Sequence, residues 1–434
     1  MAGMATSGLF AIAFLLAARV VRGGYMDLVS FKDRHADAVC LDGTPSGYHY
    51  RPADSDEGKR MWIVYLESGG WCYDPEGCAE RCVKRPELCT STVWPESIKV
   101  GGILSGVNED LHVSLRTANK VFLRYCSSDA HMGDAEAFGL QFRGQRVVQA
   151  LLTDLVELYG LGRGGPGAKD TLLFGGGSAG ARGAMVHLDY VPAMLGNAAA
   201  DVKVIGFLDS PLWLDIEPLN DRGDEALLSQ SVKVHNVSKA THLGADCAAA
   251  YPDEPGKCLL GEYRMPYVTT PYLMVAALHD GFQIWSLMGV PPEGGWSEEE
   301  LEYAEKFANR TATVLEHLAS RGHAVLGASC NTHSETLSDK GFFGKSTEDG
   351  VTVSYALHHL LGLAEGAEGV RTVIKHIDAC RTLDCGSGCH RCDNRDDDSF
   401  EAGCGPEIHE LNAARDRRAL GLAALAAAAA LARA

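Results

Sequence analysis

The chain has 434 residues, 46% of them hydrophobic. That is enough to bury a large core, and α/β folds of this size often form one domain with insertions rather than several small modules. Its 39 basic against 57 acidic residues give a net charge of −18, which repels nucleic acid and anionic membrane surfaces. A nucleic-acid role is therefore disfavoured, although a local cationic cleft stays compatible with the overall charge.

Leu9 to Ala18 is an apolar run of signal-peptide length, followed by Arg19, Arg22 and the small residues Gly23 and Gly24. Residues 1–24 read as a secretory signal peptide. A retained anchor or a core helix is the lesser reading, because the run is short of the roughly 20 residues that span a bilayer. Fourteen cysteines fit the oxidising route that such a signal opens, and most are expected in structural disulfides. Sequons at Asn236 (with Ser238) and Asn309 (with Thr311) are consistent with the same route.

Short runs rich in Val, Ile, Leu and Phe alternate with longer helical or polar stretches, the pattern of an α/β fold with a buried, mostly parallel sheet and helices on both faces. The spacing predicts strands at Trp62–Leu66, Lys120–Tyr125, Asp170–Phe174, Val202–Leu208, Tyr272–Leu278 and His323–Leu326. Helices are predicted over Gln145–Tyr159 and Ser297–Ser320, the latter opened by a capping box of Ser297 and Glu300. Two cysteine-dense stretches, Cys72–Cys89 and Cys380–Cys404, read as disulfide-stapled loops. The expected organisation is one catalytic domain over residues 25–394, then an acidic loop and an Ala-rich tail over 395–434. The tail from Ala419 reads either as a helical or disordered end or as the hydrophobic part of a lipid-anchor signal, so a surface-anchored form stays open.

The chemistry centres on Leu172-Leu173-Phe174-Gly175-Gly176-Gly177-Ser178-Ala179-Gly180: a β run, a Gly-x-Ser-x-Gly turn, then a plausible helix running through Met185 to Val191. A nucleophilic serine on a strained strand-to-helix turn needs no side chain two positions to either side, and Gly176 and Gly180 meet that need. The helix that follows points amides and the positive end of its dipole at charge developing on an attacked carbonyl. Gly175-x-Gly177-x-x-Gly180 also fits a dinucleotide-binding fingerprint. That motif belongs in the first β-α turn with an acid about 20 residues on. Here several strands come first, and Asp209 lies 29 residues after Gly180.

In the Ser, acid, His order, each partner follows a later strand. Asp280 ends one such run and His333 follows the next, so Asp280 is the expected acid and His333 the expected base. Asp209 is the alternative acid, and His279 and His323 are the lesser bases. The strand Ile63–Leu66 runs into Gly69-Gly70-Trp71, where the amides of Gly70 and Trp71, with that of Ala179, are the expected oxyanion donors. A tight turn with a packing tryptophan is the structural alternative.

Beyond these single motifs, the chain resembles the pectin acetylesterase and Notum family of carboxylesterases. The resemblance runs from Cys40-Leu41-Asp42-Gly43-Thr44-Pro45-Ser46-Gly47-Tyr48-His49 through Leu66-Glu67-Ser68-Gly69-Gly70-Trp71-Cys72, Tyr125-Cys126-Ser127-Ser128-Asp129 and the serine turn. It continues through Leu208-Asp209-Ser210, Asp280-Gly281-Phe282-Gln283-Ile284, Cys330-Asn331-Thr332-His333 and Cys385-Gly386-Ser387-Gly388-Cys389. It implies an α/β-hydrolase-like fold, the triad Ser178, Asp280 and His333, and no cofactor. Plant-type members remove acetyl groups from pectin and Notum-type members remove a palmitoleoyl group from a signalling protein. Ser68 stands where plant members usually carry a third glycine, while the opening from Cys40 to His49 reads closest to the plant type.

Acetylated cell-wall polysaccharide is thus the expected substrate of a secreted, monomeric enzyme, with a protein acyl ester as the alternative. Cys385, Cys389, His390, Cys392 and Cys404 also match zinc ligands by type, but disulfides are the better reading in a secreted chain. A catalytically silent glycan- or lipid-binding protein on the same fold is the alternative of another class.

Overall fold

The computed structural model describes residues 24–164, 169–291, 295–363, 374–383, 385, 386 and 389. Residues 1–23 of the expected signal peptide and the tail from 395 onward lie outside them, as do His390, Cys392 and Cys404. A ten-stranded sheet forms the centre. Its strands are β1 (Tyr25–Ser30), β2 (Gly47–Arg51), β3 (Met61–Leu66), β4 (Ser97–Lys99) and β5 (Asn119–Leu123). After the separate hairpin β6 (Ala135–Ala137) and β7 (Leu140–Phe142) come β8 (Asp170–Gly177), β9 (Val202–Asp209), β10 (Tyr272–Ala277), β11 (Ala324–Ala328) and β12 (Lys375–Ile377). Across the sheet the order is β12-β11-β10-β9-β8-β3-β5-β2-β1-β4.

From β12 to β5 every pairing is parallel. These strands hold the six expected from the sequence, within three residues at each end. They are apolar because both faces are covered: Leu172 and Phe174 of β8 pack into one core layer, Leu173 into the other. The helix Gly144–Glu157 lies over the first layer through Val147, Val148, Leu151, Leu152 and Leu155. The helix Glu298–Ser320 adds Phe307, Leu315 and Leu318 to the same layer, and its N-terminus closes with the expected capping box of Ser297 and Glu300.

Beyond β5, β2, β1 and β4 add on antiparallel, so the sheet as a whole is mostly parallel, as expected. The sequence hides β2, whose residues Gly47-Tyr48-His49-Tyr50-Arg51 are all buried yet mostly polar. Their polar atoms find partners: the Tyr48 hydroxyl donates to Asp154 at 3.1 Å and the Tyr50 hydroxyl to Asn119 at 2.9 Å, while the His49 Nε2 meets the Pro95 carbonyl at 2.9 Å. Strand periodicity carries no signal when burial is achieved this way.

Six disulfides occur among the described residues: Cys40–Cys126, Cys72–Cys78, Cys82–Cys89, Cys247–Cys258, Cys330–Cys389 and Cys380–Cys385. The Cys72–Cys89 stretch is not only a loop, because Pro75–Lys84 forms a helix capped by Asp74, whose side chain accepts from the Gly77 amide. The zinc reading loses Cys385 and Cys389, each of which is in a disulfide. Asn236 and Asn309 are both exposed on helix surfaces.

Candidate active site

The central strands end together, and the polar residues of the site emerge from those carboxyl ends. β8 runs into Ser178, which takes φ +49° and ψ −119° before the helix Ala179–His187 begins. That conformation is costly for a residue with a side chain and persists only where the surroundings enforce it. A Cβ on Gly180 would stand 2.0 Å from the Leu66 carbonyl oxygen, and one on Gly176 would stand 2.6 Å from the same atom. The two glycines therefore let the turn press against the end of β3. The helix ends at His187 and passes into a 3-10 turn, so its expected continuation to Val191 is interrupted. The Ser178 amide donates to the Asp209 carbonyl at 2.8 Å, which ties the turn to the end of β9.

Asp280 follows β10 and caps the helix Gly281–Met288, accepting from the Gln283 amide at 3.0 Å. His333 follows β11 on a loop whose Cys330 is tied to Cys389, and the Thr332 carbonyl accepts from the Gly281 amide at 3.1 Å. These anchors bring the three residues into one line. The His333 Nδ1 lies 2.8 Å from Asp280 Oδ2 and 3.0 Å from Oδ1, and its Nε2 lies 2.7 Å from Ser178 Oγ. With a carboxylate facing Nδ1, that nitrogen carries the proton, so Nε2 is left to accept the serine hydrogen. All three side chains are nearly buried, at 4%, 3% and 7% exposure for Ser178, Asp280 and His333, where hydrogen bonds are least diluted by water.

The alternative residues are engaged elsewhere. Asp209 accepts from the Thr336 amide and hydroxyl at 3.0 and 2.8 Å and from the Ser210 hydroxyl at 3.0 Å, and burial raises its pKa. His279 meets the Arg381 carbonyl at 3.0 Å, and burial lowers its pKa to about 4. His323 stacks on Tyr272.

On the loop after β3, Gly69 and Gly70 take φ +145° and +65°. Their carbonyls are held: Arg81 donates to Gly69 O and the Tyr125 hydroxyl donates to Gly70 O at 2.6 Å. Trp71 bridges to Asp129, and its indole nitrogen donates to Gln230 at 3.2 Å. With those carbonyls held, the amides of Gly70, Trp71 and Ala179 have no acceptor among the described residues. Preorganised, unspent amide donors are the kind of group that an oxyanion requires. Arg81 and Tyr125 are not legible as loop supports from sequence, because their targets lie 12 and 55 residues away and no local pattern encodes the contact.

Comparison with known proteins bears on this geometry. Residues 22–390 match the family model described as Pectinacetylesterase. The chain is 31% identical over 307 residues to the palmitoleoyl-protein carboxylesterase NOTUM of Drosophila melanogaster, covering 68% of this chain but only 43% of that relative. It is 27% identical over 335 residues to pectin acetylesterase 5 of Arabidopsis thaliana, covering 72% and 74% of the two chains. A solved structure of the Wnt deacylase Notum from Drosophila superposes with a TM-score of 0.74 at 25% identity, covering 84% of this chain and 99% of that one. The chain belongs to the pectinacetylesterase family, a family of carboxylic ester hydrolases.

Proposed function

We propose that this chain is a secreted serine carboxylesterase that removes acetyl groups from acetylated cell-wall polysaccharide. The observation that carries the esterase reading is the unbroken line Asp280–His333–Ser178 beside three unspent amides. In this reading Ser178 Oγ attacks the ester carbonyl carbon while its proton passes to His333 Nε2. Negative charge gathers on the carbonyl oxygen, facing the amides of Gly70, Trp71 and Ala179. Asp280 holds the imidazole tautomer and stabilises the imidazolium. The proton then leaves His333 for the departing sugar hydroxyl, and an acyl-Ser178 ester remains. Water, losing a proton to the same nitrogen, attacks that ester; acetate departs and Ser178 regains its hydrogen.

Residues 25–394 would act as one catalytic unit behind a cleaved leader, and the six disulfides support passage through an oxidising compartment. The plant-like Cys40–His49 opening favours the acetyl substrate. A palmitoleoyl-protein carboxylesterase is the second reading, favoured by the likeness to Notum in both sequence and fold.

The test is turnover of p-nitrophenyl esters from acetate to long acyl chains by the purified protein and by Ser178→Ala. Acetate turnover that disappears in the variant is expected. Folded, oxidised protein that hydrolyses no ester would turn the assignment toward a silent binding protein. A preference for long acyl esters would favour the second reading.

A further inference from the structure

One turn beyond Ser178 on the same helix, the Arg182 side chain is wholly buried. Its amide donates to the Ser178 carbonyl at 2.9 Å, so the side chain is rooted directly under the nucleophile turn. The guanidinium carbon stands 3.8 Å from the ring centres of both Trp71 and Trp213, set in the corner that the two indoles form. Nη2 donates to the Leu259 carbonyl at 2.7 Å and to Ser231 Oγ at 3.2 Å, while Nε and Nη1 have no partner among the described residues. Among the described residues Arg182 makes no ion pair to a carboxylate. A buried cation with two unspent nitrogen donors is an expensive way to fill space. Cation–π contact with two tryptophans offsets part of that cost.

The aromatic groups connect this cation to the reacting residues. Trp71 and Trp213 meet edge to face at 4.9 Å, Trp213 stacks on Phe282 at 5.4 Å, and Phe282 lies 5.3 Å from the His333 ring. Trp71 and Phe282 are partly exposed, whereas Trp213 and Arg182 are buried behind them. Trp213 also belongs to a small apolar cluster with Leu227 and Leu260. The space behind the aromatic wall is therefore lined by indoles and leucines, with the Leu259 carbonyl and the Ser231 hydroxyl at its polar end, and is occupied by one long cationic side chain.

We propose that Arg182 is a specificity-determining residue: its side chain plugs an apolar recess behind Trp71 and Trp213, so the site accepts short acyl groups and rejects long ones. This rests on the esterase reading and deepens it, naming acetyl and similarly short acyl esters as the substrate class. Removing a large side chain from a packed interior leaves a cavity, and one lined by indoles and leucines favours hydrocarbon over water. Each methylene of an acyl chain that enters it gains transfer free energy.

The test compares the octanoate-to-acetate ratio of kcat/KM for p-nitrophenyl esters in the unmodified chain, Arg182→Ala and Arg182→Met. A ratio taken within one sample is independent of the fraction of protein that folds. The unmodified chain should favour acetate, Arg182→Ala should raise the octanoate ratio at least tenfold, and Arg182→Met, which keeps the volume without the charge, should stay close to the parent. An unchanged ratio in an active Arg182→Ala, or an equal rise in both variants, would overturn the plug. Should Arg182→Ala fail to fold, labelling of Ser178 in the unmodified chain by alkyl fluorophosphonates decides: rates falling steeply from ethyl to dodecyl support the plug, and equal rates refute it. Absence of any turnover or labelling in the unmodified chain would instead sink the esterase reading itself.

Discussion

The two halves of the sheet bury polar residues in opposite ways. On the antiparallel side, His49 and Arg51 of β2 and Lys120 of β5 lie buried along the strands themselves. Their partners are structural: Lys120 Nζ donates to the Ser105 carbonyl at 2.6 Å, and Arg51 pairs with Asp54. On the parallel side, β8 is apolar from Leu172 onward and β10 from Leu273 onward, and the polar groups Ser178, Asp209, Asp280 and His333 collect at the carboxyl ends. Polar groups spread through strands are consumed by the strands. Those gathered where several strands end face one another, and only there can a proton move between them.

The sharpest way to break this contrast is Asp280→Asn. It removes the carboxylate facing His333 Nδ1 and allows the wrong tautomer, so kcat on p-nitrophenyl acetate should fall by about 10⁴-fold with little change in thermal unfolding. The antiparallel half should respond in the opposite sense. Replacing Cys40 and Cys126 together by serine opens a link across 86 residues of sequence and should cost about 2–5 kcal/mol in denaturant unfolding. Turnover per folded molecule should hold below the lowered melting temperature; its loss would mean that the edge also shapes the site.

A smaller effect sharpens the comparison within the parallel half. Asp209→Asn sits at a strand end like Asp280 but feeds Thr336 and Ser210 rather than the histidine. It should cost about 1–3 kcal/mol of stability while leaving kcat within a few-fold of the parent, as measured by chemical unfolding and ester turnover on the same sample. A collapse in kcat matching that of Asp280→Asn would make Asp209 a second acid of the site.

Much of this was legible because certain local patterns have few physical solutions. The six apolar runs had to be buried strands, and Gly176-Gly177-Ser178-Ala179-Gly180 after such a run had to be a tight turn into a helix. Chain order then pointed to Asp280 and His333. Strand β2 was not legible, because its burial depends on partners such as Asp154 and Asn119 supplied from far along the chain. The same is true of the Gly69-Gly70 loop, whose carbonyls are held by Arg81 and Tyr125.

The sequence by itself determined the parallel sheet, the serine turn and the family, since strand patterning, glycine spacing and motif order are local or linear properties. Tertiary structure alone decided which acid faces His333, which loop amides are unspent, and that Arg182 lies against both Trp71 and Trp213 beneath the serine turn. Each of these is a meeting of residues from different elements. Such meetings depend on where strands end in space and how side chains fill the volume between them, which no linear spacing specifies.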